Sequence, residues 1–318
     1  MTMNNDLDLT INNPHLSAQK IFDLLDVAES TRIDYKYRIG LFLDFLQGNG
    51  FTHNTFLEFK RYLIGRTDLS TSTKNKYLAA ARIFLKELNR QGVLPVDITQ
   101  NIKTFTQEKK HKRTGVSEIE MARLVSYLRS LDPTPQNTRV KAIMSLLALQ
   151  GLRQVEIVRL DVEDLDLSNM TALIQGKGRD DKEPIDLHPE SVRVLLDYIK
   201  SNRKASGALF TSISNNRNNQ RLTTRAIREI VTTVLKGLDI EKSTHGFRHY
   251  FTTKLIKTYK GDLLEVAQYT RHRSLEMLQV YNDSIKKQAD LPRYYNAFDG
   301  VAFSESPPEV PIIINTGS

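Results

Sequence analysis

Apolar positions along the chain recur with two different periods. Tyr35, Ile39, Phe42, Leu43 and Leu46 fall three or four residues apart, the spacing of one helix face, and Gly48 and Gly50 stop the pattern. A second helical pattern runs through Phe56, Phe59 and Leu63 within residues 52–65. Ser70, Thr71 and Ser72 can cap a third helix carrying Tyr77, Ala80, Ile83, Phe84 and Leu88, which Gly92 ends. Residues 1–15 are polar and predict a frayed start. The spacing therefore predicts a bundle of about four short helices over residues 16–105.

Residues 106–115 hold Lys109, Lys110, Lys112 and Arg113 with little apolar content. That composition predicts a solvated linker, and Lys110 and Lys112 suit a basic strap along a phosphate backbone. Helical spacing returns after Val116, where Ser117 and Glu120 fit a capping box. Val140 to Leu149 is apolar almost all round and predicts a buried helix. The period then shortens. Leu165 with Leu167, Ala172 to Gln175 and Pro184 to Leu187 predict three short strands, with turns at 168–169 and 176–181. Helical patterns resume at 189–201, 223–237, 246–258 and 262–269. The predicted fold class is mainly α. It has an N-terminal helical bundle, then a mostly helical domain over 116–298 with a small three-stranded antiparallel sheet, and a tail at 299–318.

The length of 318 residues agrees with about two domains. An apolar share of 40% and a charged share of 26% are ordinary for a globular chain. The chain has no cysteine, which excludes disulfides, thiolate zinc sites and cysteine nucleophiles. No apolar run approaches the ~20 residues of a membrane span. The opening MTMNNDLDLTINNPHL lacks a basic and an apolar signal region, so a cytoplasmic protein is expected. The net charge of +8 points to a polyanionic partner, with nucleic acid first.

Six residues stand where a solvated face is an odd explanation: Arg153 in GLRQVEI, Lys177 in QGKGRDD, His245 and Arg248 in STHGFRHYF, and His272 and Tyr281 in TRHRSLEMLQVYN. Each alone has an ordinary structural explanation. Taken in order, GLRxxEI, a GK turn 24 residues later, HxxR, and a His followed nine residues on by Tyr resemble the tyrosine recombinase, or phage integrase, family. The resemblance covers nearly the whole chain. TRIDYKYRIGLFLDFL and STSTKNKYLAAARIFLKEL look like the family's core-binding (SAM-like helical) domain, and the rear domain looks like its catalytic domain. Two positions depart from the pattern: Phe247 stands where the family usually has Leu, and Arg271 where it often has Gly before the last His. Phe247 is expected to pack. Arg271 bears on the local turn and is a candidate for one more phosphate contact.

The resemblance implies that Arg153, Lys177, His245, Arg248 and His272 form a phosphate pocket and that Tyr281 is the nucleophile. The chemistry fits these residue types. A phenol of pKa near ~10 is a poor nucleophile unless cations favour its anion. Guanidiniums present planar forks to the non-bridging oxygens. His245 can accept the phenol proton, and Lys177 can protonate the leaving 5′-oxygen. Glu156, one turn beyond Arg153, is expected to orient an arginine or histidine. The covalent 3′-phosphotyrosine conserves the bond energy for resealing, with no metal, ATP or other cofactor. Tyr250, Tyr269, Tyr294 and Tyr295 are expected to pack with the hydroxyl bonded or solvated, and His249 is set aside although it adjoins Arg248.

Further DNA contacts are sought among basic residues near helix starts: Lys74, Lys76 and Arg82 in front, and Arg221, Arg225 and Arg228 around the helix opened by Thr223 and Thr224. Only about 15 residues precede the first predicted helix, so no arm-binding domain is expected, as in Xer-like and Cre-like members. The family works as a homo-tetramer on double-stranded DNA with inverted-repeat core sites. Residues 289–298 are the candidate segment for exchange with a neighbour. The implied function is site-specific strand cleavage and rejoining by a nucleoid-associated recombinase, for resolution, inversion or integration of a mobile or extrachromosomal element. The alternatives are a type IB topoisomerase-like relaxing enzyme and a catalytically silent DNA-binding protein of this fold.

Overall fold

The computed structural model describes residues 20–107, 115–176, 178–213, 219–272 and 274–298. Lys110, Lys112, Lys177 and the tail at 299–318 lie outside the described residues. The chain divides into two compact units, Met1–Lys109 and Lys110–Ser318.

The first unit contains helices α1 (Glu29–Asn49), α2 (Thr55–Gly65) and α3 (Thr71–Arg90). Helix α1 runs through Gly48 and is capped by Gly50, whose φ of 69° needs a residue without a side chain. The Ser70 hydroxyl accepts the Thr73 amide and starts α3. Phe42, Phe56, Phe59, Leu63, Leu78 and Phe84 interlock as the core, joined by Ile21 and Phe22 ahead of α1. A helical bundle is what the spacing predicts.

The second unit contains α4 (Glu118–Ser130), α5 (Pro135–Leu149), α6 (Gln154–Arg159), strands β1 (Leu165–Asp166), β2 (Thr171–Gln175) and β3 (Lys182–Asp186), then α7 (Pro189–Ser201), α8 (Thr224–Lys236), α9 (Thr244–Thr258), α10 (Leu263–Thr270) and α11 (Leu275–Asn296). Both bonds of the Ser117–Glu120 capping box form at the start of α4. Helix α5 is the buried helix. Val140, Ala142, Ile143, Met144, Leu146 and Leu147 lie inside, and α7 and α9 pack on it. The sheet is antiparallel in the order β1-β2-β3, with Ala172 opposite Ile185 and Leu173 opposite Pro184. Pro184 sits on the edge strand, where its missing N–H leaves no central ladder bond unmade. Ala172 and Ile174 turn into the core. Phe247 packs as expected, fully buried in the same core.

Two elements go beyond the sequence pattern. The short α6 places Arg153 at its N-cap. The 22-residue α11 packs against α9 and α10 through a small cluster of Ile256, Val266, Leu278 and Tyr281. No described helix is long and apolar enough to cross a membrane.

Candidate active site

The site is built where the end of α5, the start of α6, helix α9, the end of α10 and helix α11 converge. Gly151 follows α5 with φ of 58°, and a Cβ there would lie 2.4 Å from the Phe251 ring. Only glycine fits that turn without strain. The Gly151 carbonyl accepts Nη1 of Arg248 at 2.8 Å, and the Thr270 carbonyl accepts Nη2 at 2.5 Å. Arg248 is thus locked by the backbone of two other segments while its own helix buries it. Burial, then the neighbouring Arg153 and Arg271 guanidiniums, depress its pKa to about 10. It remains a cation at neutral pH.

Glu156 is 1% exposed and organises the other side. Its Oε2 accepts the Arg153 backbone N–H at 2.7 Å, and its Oε1 accepts Arg153 Nη1 at 2.8 Å. The carboxylate therefore caps α6 and aims the arginine with the same group, the orienting role expected of it. Arg153 keeps 35% of its side chain exposed, so donors stay open to an incoming anion.

Arg271 also reaches this carboxylate, through Nη2 at 3.3 Å from Oε2. It ends α10 in the left-handed conformation, φ 55° and ψ 40°, where its amide closes the helix on the Ala267 carbonyl. That is the backbone a glycine would occupy, at a cost of about 1–2 kcal/mol for a residue with a Cβ. The turn forms despite the arginine. Its side chain is only 8% exposed, beside the buried Arg248.

His245, Arg248 and His249 lie on one face of α9 at i, i+3 and i+4. His245 is exposed and His249 half-buried. The Tyr281 ring lies 5.0 Å from that of His249 and 6.3 Å from that of His272, while His249 lies 5.9 Å from His245. Tyr281 is 8% exposed. Burial pushes its phenol up to about 12, and Arg248 opposes the shift. The structure thus brings Arg153, Glu156, His245, Arg248, His272 and Tyr281 together. It adds His249, whose signal was its i+4 spacing from His245 on the same helix face. Lys177 lies outside the described residues. Its flanking Gly176 carbonyl is held by Arg159 Nη1 at 3.0 Å.

The outlying basic residues divide into two kinds. Arg82 lies over the Phe56 ring and donates to the Ile102 carbonyl inside its own unit. Arg221 donates to the Val158 and Leu160 carbonyls and pairs with Asp161. Both guanidiniums donate to backbone carbonyls, although the Arg221 side chain stays 39% exposed. Lys76, Arg225 and Arg228 stay exposed, with Arg225 paired to Glu229. Lys74 donates to the Ile64 carbonyl at 3.1 Å.

Residues 116–288 match the model of the phage integrase family. A tyrosine recombinase of Synechocystis sp. strain PCC 6803 is 27% identical over 235 residues, covering 72% of this chain and 73% of that protein. The tyrosine recombinase XerC of Roseiflexus sp. strain RS-1 is 27% identical over 271 residues, covering 81% of this chain and 85% of that protein. Among solved structures, the XerH site-specific recombinase bound to palindromic difH substrate, a post-cleavage complex, superposes with a TM-score of 0.67 at 18% identity, covering 84% of this chain and 80% of that one. A lambda integrase dimer bound to a COC′ core site gives a TM-score of 0.63 at 12% identity, covering 84% and 75%.

Proposed function

The chain belongs to the phage integrase family of tyrosine recombinases, and from that premise we propose that it cleaves and rejoins DNA through Tyr281. The observation that carries this reading is the convergence of Tyr281 with two arginines and three histidines drawn from four separate segments. In the proposed reaction the Tyr281 oxygen attacks a phosphodiester and forms a 3′-phosphotyrosine, while the bond to the 5′-oxygen breaks. Arg153 and Arg248 stabilise the charge that builds on the non-bridging oxygens. His245 receives the phenol proton, with His249 beside it, and His272 donates to the phosphate. Lys177 returns a proton to the 5′-oxygen. Reversal on a second strand rejoins the DNA.

The phenol held near 12 supports a latent nucleophile in the free protein. The fixed Arg248 guanidinium favours the phenolate as the bond to phosphorus forms. The partner is double-stranded DNA with inverted-repeat core sites, which a homo-tetramer brings together. The end of α11 supports segment exchange: Tyr294, Tyr295 and Phe298 are each more than half exposed there. The task is resolution, inversion or integration of a mobile or extrachromosomal element, carried out on the nucleoid.

The experiment is covalent trapping on nicked duplexes drawn from DNA flanking the gene, with the protein–DNA adduct read on a denaturing gel. Wild-type protein forms the adduct in EDTA without nucleotide, and Tyr281→Phe forms none. A normal yield from Tyr281→Phe moves the nucleophile to another tyrosine. Relaxation of supercoils with no joining between two sites makes the protein a type IB topoisomerase-like enzyme instead. Bridging-sulfur substrates test Lys177: its alanine variant is rescued, because a thiolate leaves without a proton, and the Arg153→Ala variant is not.

A further inference from the structure

Arg271 has no part in the reaction above, yet its surroundings are unusual. Its side chain is 8% exposed and threads between two buried or half-buried carboxylates: Nη2 lies 3.3 Å from Glu156 Oε2, and Nε lies 3.7 Å from Glu183 Oε1 on strand β3. Nη1 reaches the carbonyls of Tyr269 at 3.3 Å and Gln150 at 3.5 Å. It occupies a left-handed backbone position that disfavours any residue with a Cβ. Burial and the nearby Arg153 both disfavour its charge. A strained, desolvated guanidinium persists only where its partners hold it, and here those partners belong to the candidate pocket and to the sheet.

We propose that Arg271 is a positioning residue that clamps Glu156, and through it Arg153, to strand β3. Glu156 carries both the Arg153 backbone N–H and its guanidinium, so a swing of that carboxylate moves Arg153. Arg271 shares Oε2 with the Arg153 backbone N–H and restrains the swing there. Through Glu183 it also ties the carboxylate to the strand that follows Lys177 in the sequence. The half-buried Glu183 is itself shared with Arg179, so both oxygens of this β3 carboxylate face a guanidinium. The clamp concerns the pocket of the preceding reading and rests on that reading for its catalytic consequence. Its structural consequence can be measured in the free protein.

The test uses full-length protein with Arg271→Gly, Arg271→Lys and Glu183→Gln. Glycine relieves the left-handed backbone, so the fold survives while the side-chain clamp is lost. Hydrogen exchange of the free protein should then accelerate at the Arg153 amide and along β3, with the core amides of α5 unchanged. Unchanged exchange at Arg153 in Arg271→Gly overturns the clamp whether or not any adduct forms. On nicked DNA, Arg271→Gly should keep wild-type affinity and salt dependence and lose about tenfold or more in single-turnover adduct rate, the scale of a misplaced catalytic group. Arg271→Lys keeps the charge but lacks the planar fork that meets Glu156 and Glu183 from separate nitrogens, so it recovers part of the rate. Glu183→Gln should lower the rate in wild type and add little to Arg271→Gly, the non-additivity of one shared interaction. Weakened affinity with a shallower salt slope makes Arg271 a phosphate contact and overturns the proposal. Absence of any wild-type adduct overturns the functional reading, and the exchange result then decides the clamp alone.

Discussion

The Tyr281 ring lies closer to His249 than to His272, 5.0 Å against 6.3 Å, in a pocket that leaves the tyrosine 8% exposed. Burial raises its phenol to about 12, above the ordinary value near 10. The neutral phenol is therefore favoured in the folded state. Between about pH 10 and pH 12 the unfolded chain releases this proton first, so folding stability falls as pH rises through that window. Tyr281→Phe should remove up to about 2 kcal/mol of that fall. Urea midpoints of both proteins across pH 9 to 12 check it, and parallel curves would refute it. A tyrosinate difference spectrum should place the missing phenol in the highest-titrating group.

Gly151→Ala should damage the site and the fold together. The new Cβ meets the Phe251 ring at 2.4 Å on a backbone with φ of 58°. Strain and overpacking together should cost about 3 kcal/mol. The displaced carbonyl also releases Arg248 Nη1. Pairing the change with Phe251→Ala should restore the space but leave the backbone strain, so adduct formation returns only in part. Thermal melting and adduct yield of the single and double variants check this.

Glu156→Gln keeps an oxygen to cap the Arg153 amide and removes the charge among three guanidiniums. Arg271 keeps Glu183, but loss of the buried anion the guanidiniums share should destabilise the protein by about 3 kcal/mol. Adduct formation should fall further than the folded fraction does. Urea unfolding alongside single-turnover cleavage separates the two effects.

The basic residues of the first unit should respond in opposite ways. Lys76 is exposed, so Lys76→Ala should weaken DNA binding and lower the salt slope by about one, with stability unchanged. Arg82 is tied to the Ile102 carbonyl and the Phe56 ring. Arg82→Ala should lower the melting temperature and leave the salt slope alone. Titrations at several salt concentrations, with melting curves, check both.

Local relationships were legible in the chain. Helix starts at Ser70 and Ser117 follow from hydroxyls reaching amides three residues on, and the strand pattern at 171–175 follows from alternation on one buried face. Arg153 and Glu156 lie one helical turn apart, so their pairing is written in the spacing. The order of basic motifs, His and Tyr carried the family. What spacing cannot carry is which distant segments meet. The Arg248 bonds to Gly151 and Thr270 span 97 and 22 residues, and Arg271 reaches Glu156 across 115. Arg82 and Arg221 look like DNA contacts in the chain because their charge is local, while the carbonyls they bond come from segments 20 and more than 60 residues away. The nearness of His249 to Tyr281 is hidden in the chain for the same reason, since it exists only once α11 packs on α9. The elements and the chemistry available to them are set locally in the chain, because both depend on neighbours within a helical turn or a strand pair. Tertiary packing decided which charges are exposed and which are neutralised, because burial and hydrogen-bond partners come from residues far apart in the chain.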